Sequence, residues 1–303
     1  MFYQVLGEST RHVRARDDLF SRPSEVVNWG SPRTQGRYTG EQEDIESGER
    51  ISRCRALEGI SDLAITQEDV IITLSRNGSI GYVAKSSHAI RWIQDEEADN
   101  YKFIKVIGSG LALTECGKVA TINNSHIVIL PIKHKIKDIA SGSNHFYAIT
   151  DDNRILAWGE NQTGQCGLGD RRNKPSPEEI KLFRGEVVFI APGSNHTLAL
   201  KNNQVYSWGM DSHGQLGQGY TDGLAVPMLI KRIKDVDVIE IAAGKSHSLA
   251  LSSSGVVYAW GDTGMGHVSN SSGFVVDGLS LYKIVHIFSG YLSGHTFCSK
   301  RSW

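Results

Sequence analysis

The feature that most constrains this chain is an internal repeat with a period of 51 residues. Gly142-Ser143-Asn144-His145, Gly193-Ser194-Asn195-His196 and Gly244-Lys245-Ser246-His247 recur at that spacing, each after an apolar stretch (Ile136 to Ala140, Val187 to Ala191, Val238 to Ala243). An alternating segment such as Leu198-Ala199-Leu200 follows, then a turn, then Trp158-Gly159, Trp208-Gly209 or Trp260-Gly261. Two copies close on a second glycine cluster, Gly164-Gln165-Cys166-Gly167-Leu168-Gly169 and Gly214-Gln215-Leu216-Gly217-Gln218-Gly219, while the third keeps only Gly264-Met265-Gly266. A fixed period of this size means a chain built from stacked supersecondary units.

Each unit reads as short strands. Apolar side chains alternate along the Leu-Ala-Leu and Val-Tyr-Ser-Trp segments, and Asp151-Asp152-Asn153, Asn202-Asn203 and Ser254-Gly255 supply hairpin turns between them. Glycine accounts for 32 of 303 residues, above the roughly 7% of average usage, as a turn-rich chain requires. A lone sheet of this size cannot bury both faces, whereas copies set radially can. The expected fold is therefore all-β, a β-propeller with blades of about 36–51 residues.

Weaker copies precede the strong ones. Ile60-Ser61-Asp62-Leu63-Ala64 repeats the pattern of Ile136-Lys137-Asp138-Ile139-Ala140, with Thr66 and Asp69 standing where the strong copies have glycine and histidine. Val106-Ile107-Gly108, Leu111-Ala112-Leu113 and Gly117-Lys118-Val119-Ala120 form another copy without histidine or tryptophan. The expected division is one domain over 1–303, with clear repeats at 136–185, 186–235 and 236–284 and weak ones at 58–99 and 100–135. Residues 1–57 together with 285–303 supply the terminal blade or blades. Val285 to Ser289 and Gly294-His295-Thr296-Phe297-Cys298 give half a repeat, and Phe2 to Gly7 resembles its missing strand, so the termini should pair and close the ring. The lengths favour seven blades, with six as the alternative. Arg91 to Val106 is the one stretch that reads as a short helix.

Composition narrows the function classes. Lys and Arg total 32 against 33 for Asp and Glu, so no polyanion-binding surface, and no direct nucleic-acid contact, is expected. Cys54, Cys116, Cys166 and Cys298 lack metal-ligand or disulfide-framework spacing and read as free buried thiols in a reducing compartment. No signal peptide and no apolar run of membrane-spanning length occurs, which points to a soluble protein of the cytoplasm, the nucleus or both.

The recurring His145, His196, His247 and His295 would be spread around a propeller axis rather than gathered on one atom, so a structural role is expected for them. Trp158, Trp208 and Trp260 read as wedges between blades, and Gly142, Gly193 and Gly244 as backbone devices. The glycine clusters lack a P-loop lysine and a following helix, and no catalytic, metal or cofactor constellation emerges. The acidic stretches Glu41 to Glu49 and Asp95 to Asp99 read as solvated loops or as contacts for a basic partner.

The unit of apolar strand, Gly-x-x-His, Leu-Ala-Leu, Val-Tyr-x-Trp-Gly and Gly-Gln-Leu-Gly-x-Gly resembles the repeat of the regulator-of-chromosome-condensation family, over 136–265 in particular. That resemblance implies a seven-bladed propeller. It also implies that the Gly-x-x-His loops, here Ser143, Asn144, Ser194, Asn195, Lys245 and Ser246, contact a protein partner. In the founding member, a guanine-nucleotide exchange factor, some of these loops carry an acidic residue, and none does here. The expected function is a non-enzymatic interaction platform, monomeric by itself, acting as a subunit or regulator of an intracellular complex. Among family members, partners of this kind include a transfer-RNA or diphthamide modification enzyme and an oxygenase. The alternative is nucleotide exchange on a Ran-like small GTPase.

Overall fold

The structure, a computed structural model, describes residues 26–29, 60–66, 70–83, 90–123, 126–183, 189–219, 222–262, 275–276, 284–290 and 296–300. An isolated early strand, β1 (Val26–Trp29), precedes the regular pattern. Blade 1 then comprises β2 (Ile60–Ile65), β3 (Ile71–Ser75), β4 (Ile80–Val83) and β5 (Arg91–Trp92). Blade 2 comprises β6 (Phe103–Ile107), β7 (Leu111–Thr114), β8 (Val119–Asn123) and β9 (His126–Ile129). Blade 3 is β10 (Ile136–Ser141), β11 (His145–Thr150), β12 (Ile155–Gly159) and β13 (Lys174–Glu179). Blade 4 is β14 (Phe189–Pro192), β15 (His196–Lys201), β16 (Gln204–Gly209) and β17 (Leu224–Leu229). Blade 5 has β18 (Val238–Ala243), β19 (His247–Ser252) and β20 (Val257–Gly261), and blade 6 orders β1 beside β22 (Thr296–Lys300) beside β21 (Ile284–Phe288). All pairings are antiparallel, and six sheets form among the described residues.

The hairpins follow from local chemistry. Asn202 and Asn203 both adopt positive φ, 48° and 62°, the two-residue turn whose twist matches the flanking strands. The four-residue turns of blades 1, 2 and 5 place Gly78, Gly117 and Gly255 in the left-handed region. The expected helix over Arg91–Val106 does not form. That stretch contains β5, a single 3-10 turn at Ala98–Asn100, and the start of β6. Asp95 decides this locally: its carboxylate accepts from the backbone N–H groups of Glu97 and Ala98 at 3.1 and 3.2 Å, and from Ile127 N–H at 3.3 Å. Those backbone donors hold its carboxyl below the usual range, which fastens the turn to β9 rather than letting a helix propagate. Glu96, Glu97 and Asp99 remain exposed around it.

The core lies between blades. Tyr147, Ile155, Cys166, Phe183, Ile190 and Trp208 form one cluster joining blades 3 and 4. Leu198, Val205, Ile230, Ile241 and Trp260 do the same for blades 4 and 5. First strands of consecutive blades lie alongside one another, from β2 through β6, β10, β14 and β18 to β21. Blade 6 joins the two ends of the described chain: β22 pairs Val26 with Ser299 and Trp29 with Thr296, while its other edge pairs with β21. The N-terminal strand in this sheet is thus Val26–Trp29; Phe2 to Gly7, for which that place was expected, lies outside the described residues, as do His295, Cys54 and Glu41 to Glu49.

Candidate functional site

The Gly-x-x-His segments form one loop per strong blade, between its first two strands, and each is built around its own histidine. A side chain on Gly142 would run into the His145 ring and the Gly193 carbonyl, and Gly193 and Gly244 stand in the same relation to His196 and His247. Only glycine leaves room for the ring to lie back over the loop. The Gly142 N–H closes the loop on His145 O at 2.9 Å, as Gly193 does on His196 at 2.8 Å and Gly244 on His247 at 2.9 Å. The outer side of the loop is held by the Trp-Gly strand: Glu160 N–H donates to Asn144 O, Met210 to Asn195 O and Asp262 to Ser246 O, at 2.8, 2.8 and 2.9 Å. The intervening Gly159, Gly209 and Gly261 have φ of 102°, 99° and 87°, where a side chain would be strained.

The histidines point across the blade junctions. His145 Nε2 meets Thr197 Oγ1 at 3.1 Å, His196 Nε2 meets Ser248 Oγ at 2.9 Å, and His247 Nε2 meets Ser289 Oγ at 3.0 Å. Each partner hydroxyl belongs to the next blade. Trp208 Nε1 donates to Gln165 O at 2.8 Å and to Tyr147 OH at 3.0 Å, and Trp260 Nε1 donates to Gln215 O at 2.8 Å. Gln165 and Gln215 occupy the Gly-Gln-x-Gly loops of the preceding blades, so tryptophan and glutamine carbonyl form a second strap beside the histidine.

The proton inventory settles the tautomers. Ser248 spends its one hydroxyl proton on Gln215 O at 2.8 Å, so the bond with His196 must be donated by Nε2–H. Tyr147 gives its proton to Gln165 O. The 3.0 Å Tyr147–Thr197 bond is therefore donated by Thr197, and His145 in turn donates from Nε2. Burial lowers both imidazoles to about 3, because a charged ring there would lose its hydration without gaining a counter-ion. Burial also pushes the Tyr147 hydroxyl well up and the Cys166 thiol up to about 12. These neutral groups are enclosed, with His145 and His196 at 0% exposure.

The long loops after the Trp-Gly strands, described over residues 160–173, 210–219 and 222–223, are each organised by a pair of side chains. Asn161 Oδ1 accepts from Cys166 N–H and Asp211 Oδ1 from Leu216 N–H, both at 2.9 Å. Gln165 Oε1 takes the Thr163 N–H, and Gln215 Oε1 the His213 N–H, again at 2.9 Å. In the first loop Asp170 also bridges Lys174 and Arg172 at 3.1 Å each, and these bonds, led by the Arg172 N–H, hold its carboxyl down to about 2.

The candidate contact residues divide by exposure. Asn144 and Lys245 are exposed; Ser143, Ser194, Asn195 and Ser246 are half-buried. Ser143 and Ser194 are tied to one another, hydroxyl to hydroxyl at 2.8 Å, and the backbone runs blade to blade through Ser143 N–H to Ser194 O and Ser194 N–H to Gly244 O at 3.3 Å. The three loops therefore share one face and one hydrogen-bonded chain. Cys116 is exposed, unlike Cys166, so the expectation of buried thiols holds for one of these two only. Among the described residues no group of three or more His, Cys, Asp or Glu could hold a metal ion, and no helix is long and apolar enough to cross a membrane.

Other linking residues are easy to overlook in the sequence. Five first strands carry a register shift, at Ile60/Asp62, Phe103/Lys105, Ile136/Asp138, Val238/Glu240 and Ile284/His286. In three cases the residue after the shift reaches to the next blade. Asp62 accepts from Val106 N–H at 3.3 Å, and Lys105 donates to Asp138 at 2.6 Å and Ile139 O at 2.9 Å. Glu240 accepts from Ile287 N–H at 3.3 Å and faces His286 Nδ1 at 3.5 Å. The recurring Asp62 and Asp138 were the available signal. The linking hydroxyls left one too, since Thr197 and Ser248 directly follow the histidine of their own blade.

Similarity to known proteins agrees with this geometry. The regulator of chromosome condensation (RCC1) repeat matches residues 152–200 and 202–251, and a second form of that repeat matches 136–165, 187–215 and 238–266. The E3 ubiquitin-protein ligase HERC2 of Homo sapiens is 38% identical over 168 residues, 52% of this chain. The ultraviolet-B receptor UVR8 of Arabidopsis thaliana is 35% identical over 130 residues, 42% of this chain. The chain spans only 4% and 30% of those two proteins. In the crystal structure of Kap60 bound to yeast RCC1 (Prp20), a chain superposes with a TM-score of 0.67 at 21% identity, covering 81% of this chain and 67% of that one. Prp20p from Saccharomyces cerevisiae, solved with its binding properties to Gsp1p and histones, gives a TM-score of 0.54 at 16% identity over 93% and 92% of the two chains. Over residues 136–266, therefore, the chain carries regulator of chromosome condensation (RCC1) repeats, and its fold is a β-propeller like that of yeast RCC1.

Proposed function

We propose that this chain is a non-enzymatic protein-interaction platform, a subunit or regulator of an intracellular complex, whose contact face is the row of Gly-x-x-His loops. The observation that carries the reading is the continuous hydrogen-bonded chain through Ser143, Ser194 and Gly244. It holds three loops in one rigid arrangement before any partner arrives, and pre-organised loops lose little entropy on binding. Burial of His145 and His196 as neutral hydrogen-bonding groups favours scaffolding over acid–base work for them. Asn144 and Lys245 are the exposed tips, and so the substitutions of choice. Ser194 is already engaged with Ser143, and changing it would disturb the ring as well as the surface.

The test compares wild type with Asn144→Arg/Lys245→Glu in stoichiometric co-purification from the native cell, followed by affinity measurement on the partner found. At least a tenfold loss, about 1.4 kcal/mol, with an unchanged melting temperature is the expected result; an unaltered affinity would place the interface elsewhere. A second reading, guanine-nucleotide exchange on a Ran-like GTPase, draws on the likeness to Prp20p, a likeness of fold. Nucleotide release from a panel of small GTPases at catalytic concentrations of this protein would favour it over the platform. Ubiquitin ligation by HERC2 does not carry over on a 4% share of that protein.

A further inference from the structure

The two weak blades lack the parts that fill the junctions elsewhere. Ile122 N–H donates to Gly110 O at 2.7 Å, as Glu160 does to Asn144 O, which places Leu111 where blade 3 has His145. Ala112 pairs with Ala120 as Phe146 pairs with Trp158, so alanine stands at the tryptophan position. In blade 1, Thr66 N–H donates to Val70 O at 2.9 Å, as Gly142 does to His145 O. Val70, rather than the expected Asp69, therefore takes the histidine's place, and Val83 the tryptophan's. The long organised loops are missing too. From β4 to β5 the chain has only residues 84–90, and from β8 to β9 only 124–125, against 160–173 and 210–223 in blades 3 and 4.

A cleft of about 420 Å³ opens at this place, on the face that carries the Gly-x-x-His loops. Blade 1 contributes Thr66, Val70, Ile72 and Tyr82, blade 2 Ser109 and Ile122, and blade 3 Asn144 and Phe146. Its size falls in the range of roughly 300–1,000 Å³ usual for ligand pockets, and its mixture of apolar walls with a few polar groups is of the usual kind. None of the described lining residues is charged. Phe146 is backed by Trp158, stacked at 5.6 Å and 26°, so that wall is rigid and aromatic. The Ser109 hydroxyl is buried and has no hydrogen-bond partner among the described residues, a state that costs free energy until something supplies one.

We propose that this cleft receives an uncharged aromatic side chain bearing an N–H or O–H, presented by a loop or peptide of a protein partner. The inserted ring packs against Phe146, Ile72 and Tyr82, and its polar edge meets the Ser109 hydroxyl. An ionised side chain is disfavoured because no described lining residue carries a charge to pair with it. Asn144 stands on the rim and belongs also to the contact loops, so the cleft anchors the same partner; the inference rests on the platform reading in that respect.

Side-chain analogues test it without knowledge of the partner. Indole, p-cresol, toluene and benzoate are titrated separately into the full chain and followed by protein NMR. Saturable shifts for indole and p-cresol, centred on Ser109, Tyr82 and Phe146, with Kd on the order of 1–10 mM as expected for so few atoms, are the supporting result. Ser109→Ala should weaken indole and p-cresol at least threefold and leave toluene unchanged, and Asn123→Trp, an exposed residue at the mouth, should block all binding. The inference is overturned by the absence of saturable shifts, by shifts centred elsewhere, or by toluene or benzoate binding as tightly as indole. These failures would leave the platform reading standing, since that is decided by the Asn144 and Lys245 substitutions. Conversely, loss of that reading would leave a cleft with measured ligands and no partner.

Discussion

At the scale of single residues, the repeat motif is a set of exclusions rather than a set of reactive groups. Glycine at 142, 193 and 244 is required because the imidazole three residues on occupies the space of a side chain. At His145 and His196 the imidazole is in turn required as a neutral donor, since the hydroxyl each meets has already committed its own proton. This gives a pH dependence with a definite sign. His145 and His196 sit near 3 in the folded chain against an ordinary value of about 6.5. Between those values the unfolded chain binds protons that the folded chain refuses, so stability is whole above pH 6.5 and falls as the pH drops. Moving from pH 7 to pH 5 should cost roughly 2 kcal/mol per histidine, read as a lower urea midpoint. The double variant His145→Gln/His196→Gln should be less stable at pH 7 and show a flatter profile. An unchanged wild-type midpoint at pH 5 would mean that the rings accept protons in place. Asp170, held at about 2, acts in the same direction but lower on the scale, and does not confuse this window.

At the scale of elements, the inner strands of the strong blades were readable from alternation and turn residues, whereas β5 lay in a stretch that reads as helix, and which strands are neighbours was not always legible. Within blades 3, 4 and 5 the hairpins follow the chain, and β11 with β12 or β15 with β16 pair as their sequences suggest. Blade 6 is different because β22 has a partner from residues 26–29 on one side and β21 on the other. Several early segments have a pattern able to pair there, and nothing local to them ranks one above another. The arrangement predicts the effect of removing residues 285–303. β1 would lose its partner, blade 5 the sheet packed against it, and β18 and β19 their cover. The truncated chain should aggregate or lose cooperative melting, measured by light scattering and thermal denaturation; a monomer with the original melting temperature would show that blade 6 is dispensable.

At the scale of the whole molecule, the straps are unevenly distributed. Between blades 3 and 4, 4 and 5, and 5 and 6, a histidine and a hydroxyl cross the junction, while between blades 1 and 2 there are apolar contact, the Asp62 link to Val106 N–H and a backbone bond from Phe103 N–H to Gly78 O, with no buried hydrogen-bonded side-chain pair among the described residues. In a repeat protein, stability is approximately a sum of unit and neighbour terms, so opening should be local and graded. Peptides covering β3 and β7 should exchange their amide hydrogens at least about tenfold faster than those covering β11, β15 and β19. Uniform protection across all five would mean that the molecule opens only as one unit. The cleft lies in the weakly strapped region, where exposed lining can adjust around an inserted side chain.

What the sequence alone determined is everything carried by short range: strand alternation, hairpin turns, the period, and hence the propeller. What only the tertiary structure decided is everything that joins one copy to the next. Phe146 shows the difference. It stands where the next two copies have Thr197 and Ser248, and by itself looks like a substitution without meaning. Blade 2, however, offers Leu111 instead of a histidine, so no hydroxyl is needed to receive one. Blade 2 also has no glutamine loop to accept the Trp158 N–H, and that ring stacks on Phe146 instead. Strand and turn preferences act through neighbouring dihedral angles and faces, and are written within a few residues. A hydrogen bond across a blade junction depends on two side chains some fifty positions apart being delivered to the same 3 Å, and that is decided by the packing of the sheets.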